Sequence, residues 1–129
     1  MQRTVPQVAF ELPPSVGAPL QARRRCEQLC RDWDLESLRS DCSLLVSELV
    51  TNAVLHGAGP ILLEIDRDDR GLRVTVANES AVGSASPSPR DASTVDQGGR
   101  GLAIVGAVAA RWGTHRDEVG TRVWFELRA

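Results

Sequence analysis

The 129-residue sequence predicts an α+β fold, a two-layer α/β sandwich with a mixed, largely antiparallel sheet and about three helices on one face. Two observations predict it. Strand-like runs come in neighbouring pairs around turn clusters, which favours hairpins over parallel crossovers. The helical stretches stand apart from those pairs, giving the order βα, α, ββ, long loop, α, ββ. Length supports the same reading: at 129 residues with 42% hydrophobic content, one domain spanning 1–129 is expected. Such a chain buries roughly two-thirds of its unfolded surface and needs no disulfide or metal staple.

The elements follow in order. Val8 to Leu12 is a short apolar run stopped by Pro13-Pro14, a first strand. Pro19 suits the first turn of a helix, and Ala22, Cys26, Leu29, Cys30 and Trp33 continue it at helical spacing to about Asp32. Ser40 or Asp41 is placed to cap a second helix, which runs to His56 and stops at Gly57. Ile61 to Ile65 and Leu72 to Val76 read as a hairpin around Asp66-Arg67-Asp68-Asp69-Arg70-Gly71. Residues 79–97 are rich in Ser, Pro, Ala and Asp without hydrophobic period, and loops of that length are commonly lids or disordered. Gly98-Gly99-Arg100-Gly101 opens a third helix through Leu102, Ile104, Val105, Val108 and Ala109. A last hairpin pairs Trp112 to Arg116 with Thr121 to Leu127 around Gly120.

Composition excludes several functions. A net charge of −2 and a pI near 5.7 give no basic face for nucleic acid. All fifteen basic residues are Arg, which codon bias explains without a functional demand. The N-terminus lacks a basic segment followed by an apolar one, and no stretch approaches about 18 apolar residues. A cytoplasmic protein without membrane contact is expected. Cys26, Cys30 and Cys42 form no CxxC pair. Cys26 and Cys30 lie one helical turn apart and can share a metal in principle, but buried thiols in a reducing compartment are the plainer reading.

The second helix carries the chemistry. Glu48, Asn52 and His56 are spaced by four and line up along one side, each turned about 40° from the last. Leu44 and Leu55 flank this line on one side, Leu45 and Leu49 on the other, while the solvent-suited Ser43, Ser47 and Thr51 lie elsewhere. A carboxylate and an amide among leucines cost desolvation unless they are partnered. Three readings stay open: a buried Glu–Asn structural pair, a helix more exposed than this pattern suggests, or a site. The second clue is the glycine run before the third helix, where free N–H groups and a positive dipole end suit phosphate. It is neither a Walker A loop, whose GxxxxGK[ST] pattern is missing, nor a Rossmann fingerprint; ordinary helix capping explains it equally well.

Taken together, these features resemble a known family. Glu48-Leu49-Val50-Thr51-Asn52-Ala53-Val54-Leu55-His56-Gly57 looks like the N-box of the GHKL (Bergerat-fold) ATPases. More narrowly, it is similar to the anti-sigma-factor serine kinases of partner-switching systems. The likeness runs from Leu12-Pro13-Pro14 to Val123-Trp124-Phe125-Glu126-Leu127. It implies the Bergerat fold, ATP and Mg²⁺ as cofactors, and residues 79–97 as a flexible ATP lid. Asn52 would bind the Mg²⁺, which favours hard oxygen ligands and few protein contacts. Glu48 would be the general base toward a serine hydroxyl or water. Gly98, Gly99, Arg100, Gly101 and Leu102 would hold phosphate, and Thr121 would help fix the adenine. His56 is expected to be structural.

One position departs from the family. The strand before the lid normally ends in an Asp that accepts the adenine amino group; here that position is Asn78. An amide oxygen still accepts the bond, without charge assistance. The resemblance therefore implies an ATP-dependent protein-serine/threonine kinase that binds a sigma factor and phosphorylates a STAS-type anti-anti-sigma protein, working as a homodimer. The alternative is a catalytically silent GHKL-fold binding module with weakened or lost nucleotide binding. Histidine–aspartate phosphorelay is not expected, since the chain holds no dimerisation helix pair or acceptor-His region.

Overall fold

Val8, Phe10 and Leu12, and again Leu72, Val74 and Val76, fall at alternate positions, and pleating sends each such set to one face. The computed structural model describes residues 7–79 and 101–129. Its elements are β1 (Gln7–Leu12), α1 (Ala18–Asp32), a 3₁₀ turn at Glu36–Leu38, α2 (Arg39–His56), β2 (Ala58–Arg67), β3 (Gly71–Glu79), α3 (Gly101–Val108), β4 (Arg111–Arg116) and β5 (Gly120–Arg128). The five strands form one sheet in the order β1-β2-β3-β5-β4. Every pairing among them is antiparallel. The expected α+β sandwich is the observed fold. Most of the expected lid, and Gly98, Gly99 and Arg100, lie outside the described residues.

Register aligns the apolar sets across the sheet. Val8, Ile65, Val74, Phe125 and Trp112 form one row, and Phe10, Leu63, Val76 and Val123 the next. The helices cover this face. Leu45, Val46, Leu49, Val50 and Ala53 of α2 join Ile61, Leu63, Ile65, Val74 and Phe125 in one core, with α1 and α3 closing its sides. Because α2 touches the sheet and both other helices, it is apolar on several sides, as an enclosed helix is.

Several boundaries differ from the sequence expectation: β2 runs on to Arg67 and β3 to Glu79, and two starts shift for local reasons. Helix α2 begins at Arg39 and has no side-chain cap; the chain enters it directly from the 3₁₀ turn. Neither Ser40 nor Asp41 caps it, although Asp41 in the first turn suits the dipole. Strand β2 begins at Ala58, not Ile61, because Gly59-Pro60 sits in an irregularity of the β2–β3 ladder instead of a loop. Gly59 has φ 69° there. The end of α1 falls where expected, in a six-to-one and five-to-two pair of bonds. Leu35 N–H donates to Cys30 O at 2.7 Å and Asp34 N–H to Arg31 O at 3.2 Å. Asp34 takes the left-handed conformation, φ 59°, that a glycine usually fills at this point.

Ser43, expected at the surface, is buried. Its hydroxyl donates to Glu27 Oε2 at 3.0 Å and accepts from Arg23 Nε at 3.2 Å, tying α2 to α1. The same seam holds Cys26, Cys30 and Cys42, each buried and free of disulfide. Hydrogen bonding to Cys42 and burial push the Cys30 thiol far up; Cys42 is raised likewise, first through its bond with Cys26.

The opposite face of the sheet is polar and self-paired. Arg73 and Arg111 lie over the Trp124 ring at 4.1 and 5.8 Å from its centroid. Glu126 sits 3.7 Å from each guanidinium. Arg122 meets Glu64 at 3.4 Å across β3. At the β4–β5 turn, backbone N–H groups of Gly120 and Val119 donate to Asp117, holding its carboxyl below the usual range.

Candidate functional site

Helix geometry sets the first part of the site. Four residues advance an α-helix by about 6 Å and turn it slightly past one full circle. Glu48 and Asn52 therefore stand one above the other on α2, both half-buried, with exposed His56 ending the line. The leucines around them are not equivalent. Leu45 and Leu49 are buried in the core, whereas Leu44 and Leu55 are 42% and 64% exposed. The acid–amide line thus runs along the rim of the core and is not enclosed by leucines, so its desolvation cost is modest. Among the described residues neither Glu48 nor Asn52 has an ion pair or side-chain hydrogen bond. That arrangement disfavours the buried structural pair.

Sheet register sets the second part. Asn78 lies opposite Thr121 across the β3–β5 ladder, and Glu79 opposite Gly120. Two residues far apart in sequence become a cross-strand pair on the helix-facing side, next beyond the Val76–Val123 pair. Gly120 is required there: a Cβ on it would overlap the Asn78 carbonyl oxygen. The far end of α2 meets the same corner. Asn78 lies against Gly57, whose own N–H donates to Ala53 O at 3.0 Å. Asn78 Nδ2 donates to Glu79 O at 3.4 Å. Sequence reasoning took Gly57 as a helix stop and the last residue of the N-box; its contact with Asn78 crosses 21 positions and leaves no local signal.

The third part is the start of α3. Gly101 and Leu102 are its first residues, and α3 packs against α2 through a core that includes Val105. The structure thus gathers Glu48 and Asn52 on α2, and Asn78 and Thr121 at the sheet end beside its last turn. Asn52 and Glu48 offer hard oxygens of the kind Mg²⁺ takes. Among the described residues no group of three His, Cys, Asp or Glu side chains is placed to hold a metal ion. A cation that keeps most of its shell for water and phosphate fits such a sparse donor set.

Comparisons with known proteins agree with this fold. Residues 13–127 match the family model of the histidine kinase-like ATPase domain. The chain belongs to that family. Its fold is similar to that of the RsbU and RsbW domains of Rv1364c from Mycobacterium tuberculosis, with a TM-score of 0.71 at 19% identity. That match covers 95% of this chain and 32% of the mycobacterial one, so the chain spans about a third of that protein's length. No curated protein sequence matches significantly. No described helix is long and apolar enough to cross a membrane.

Proposed function

We propose that this chain is an ATP-binding regulator of the anti-sigma-factor type, cytoplasmic and homodimeric, that phosphorylates a serine or threonine of a STAS-domain partner. The observation that carries the reading is the stacked Glu48–Asn52 pair on α2, open at the rim of the core, beside the Asn78–Thr121 pair at the sheet end. The fold likeness to the mycobacterial structure with an RsbW domain supports it.

Bound Mg²⁺–ATP supplies the transferable phosphoryl group and the charge that steadies its oxygens. In this reading the Asn52 amide oxygen would hold the metal, while Asn78 and Thr121 would seat the base. Glu48 takes the proton from the incoming hydroxyl as that oxygen bonds to the γ-phosphorus and the bond to ADP breaks. The N-terminal end of α3 would present its first backbone N–H groups to phosphate.

The test is Glu48→Ala. General-base loss lowers phosphate transfer from ATP to a STAS-domain acceptor by about 10²–10⁴-fold. Nucleotide affinity stays within about twofold, since the removed group acts on the acceptor hydroxyl and not on the nucleotide. Transfer at the wild-type rate removes Glu48 from the mechanism. A second reading, a silent protein-binding module, is favoured by Asn78 alone. Calorimetry with Mg²⁺–ATP separates them: no heat from the native chain, with binding restored in Asn78→Asp, selects the module. Silence from both folded proteins discards nucleotide binding.

A further inference from the structure

A strand at the edge of a sheet holds a row of backbone N–H and C=O groups that an extended chain can pair with. This sheet ends at β1 on one side and at β4 on the other. The two edges are not alike. Strand β1 carries Glu11, runs into Pro13-Pro14, and has the Arg25 guanidinium over its Phe10 ring, 4.5 Å from the centroid. Prolines and charges blunt an edge in this way. Strand β4 reads Arg111-Trp112-Gly113-Thr114-His115-Arg116, with no proline and no acid.

Pleating gives the β4 edge two faces, and an indole lies at each. On the helix side Trp112, 39% exposed, packs on Gly106 of α3, where a Cβ would stand 3.3 Å from its Nε1. Beside Gly106 the small residues Ala103 and Ala107 are also exposed, and no polar side chain occurs from Gly101 to Ala110. A helix at a protein surface ordinarily turns polar residues outward; one that is apolar all round is covered. On the other face the Trp124 indole lies across Gly113, where a Cβ would stand 2.8 Å from its Nε1. Arg111 and His115, two positions either side of Gly113, share that face. Although the chain carries a net charge of −2, this edge is basic. One carboxylate, Glu126, serves both Arg73 and Arg111 at 3.7 Å, and Arg116 has no ion pair among the described residues. Two β4 strands paired antiparallel about Gly113 would set Arg111 of each beside His115 of the other, with no carboxylate between them. Charge therefore favours an acidic partner over a second copy.

We propose that the β4 edge is the docking site for an extended, acidic segment of a partner protein. The segment adds to the sheet as a strand, with apolar side chains on Trp112 and α3 and carboxylates toward Arg111 and His115. Backbone bonds supply affinity, and the two faces supply specificity. The inference stands apart from the nucleotide reading.

The probe is a fluorescein-labelled octapeptide of alternating Glu and Val, titrated with the full chain by fluorescence anisotropy without nucleotide. It binds about tenfold more tightly than the Lys–Val counterpart, whose charges are repelled at this edge. N-methylating either the Glu or the Val residues gives two isomers that carry their methyl groups on opposite edges of the extended peptide. One of those edges faces β4, so one isomer loses about tenfold in affinity while the other keeps it. Arg111→Glu combined with His115→Glu inverts the preference for Glu over Lys, a change that loss of structure alone does not produce. Circular dichroism checks the fold of that variant. Should it not fold, Ala107→Glu, at an exposed position, serves in its place and weakens binding of the Glu–Val peptide about fivefold. Absence of binding, equal affinity of the two isomers, or a variant that binds as the wild type does overturns the proposal and leaves the nucleotide site standing. Sedimentation of the chain with and without peptide tests the other occupant. An oligomer that dissociates as peptide is added places a second copy on the edge and also overturns the proposal.

Discussion

In the proposed nucleotide site, Asn78 is the residue on which affinity turns. A hydrogen bond to a charged acceptor is worth about 1 kcal/mol more than one to a neutral acceptor. Asn78→Asp should therefore tighten Mg²⁺–ATP binding by about fivefold, measured by calorimetry. Unchanged or weaker binding would place the side chain away from the base. At this scale the sequence was legible where a pattern is local. Glu48 and Asn52 stand out through a spacing of four on one helix. Ser43 was misplaced because its polarity is satisfied by Glu27 and Arg23, 16 and 20 positions away.

At the scale of elements, the α1–α2 seam is closed to solvent. Cys26, Cys30 and Cys42 are 0–1% exposed there, and Cys30 and Cys42 are shifted so that their thiolates are disfavoured. Thiolate is the reactive form. Native protein at pH 8 should show less than one thiol reacting with a chromogenic disulfide over minutes, and all three after denaturation in guanidinium. Rapid labelling of the native chain would mean that the two helices separate readily. Element types were readable from period: apolar alternation marks the strands and a four-residue recurrence marks α1. Their edges were less so. The start of α2 lacks a cap, and β2 runs through Gly59-Pro60 because β3 pairs on both sides of them.

At the scale of the whole molecule, Phe125 is the largest fully buried side chain, at the centre of the row Val74–Phe125–Trp112 beneath α2. Phe125→Ala should cost about 3–5 kcal/mol, a large share of the roughly 5–15 kcal/mol that holds a domain of this size together. Urea denaturation would show a lower midpoint at an unchanged slope; a loss below about 1 kcal/mol would mean that the core recloses over the gap. Hairpins, helices, the acid–amide line and the family were already written in the chain, because each depends on residues within a few positions of one another. Sheet order, the facing of Asn78 and Thr121, the burial of Ser43 and the contact of Asn78 with Gly57 came only with packing. Each depends on which distant segments share one core, and local patterns carry no record of that choice.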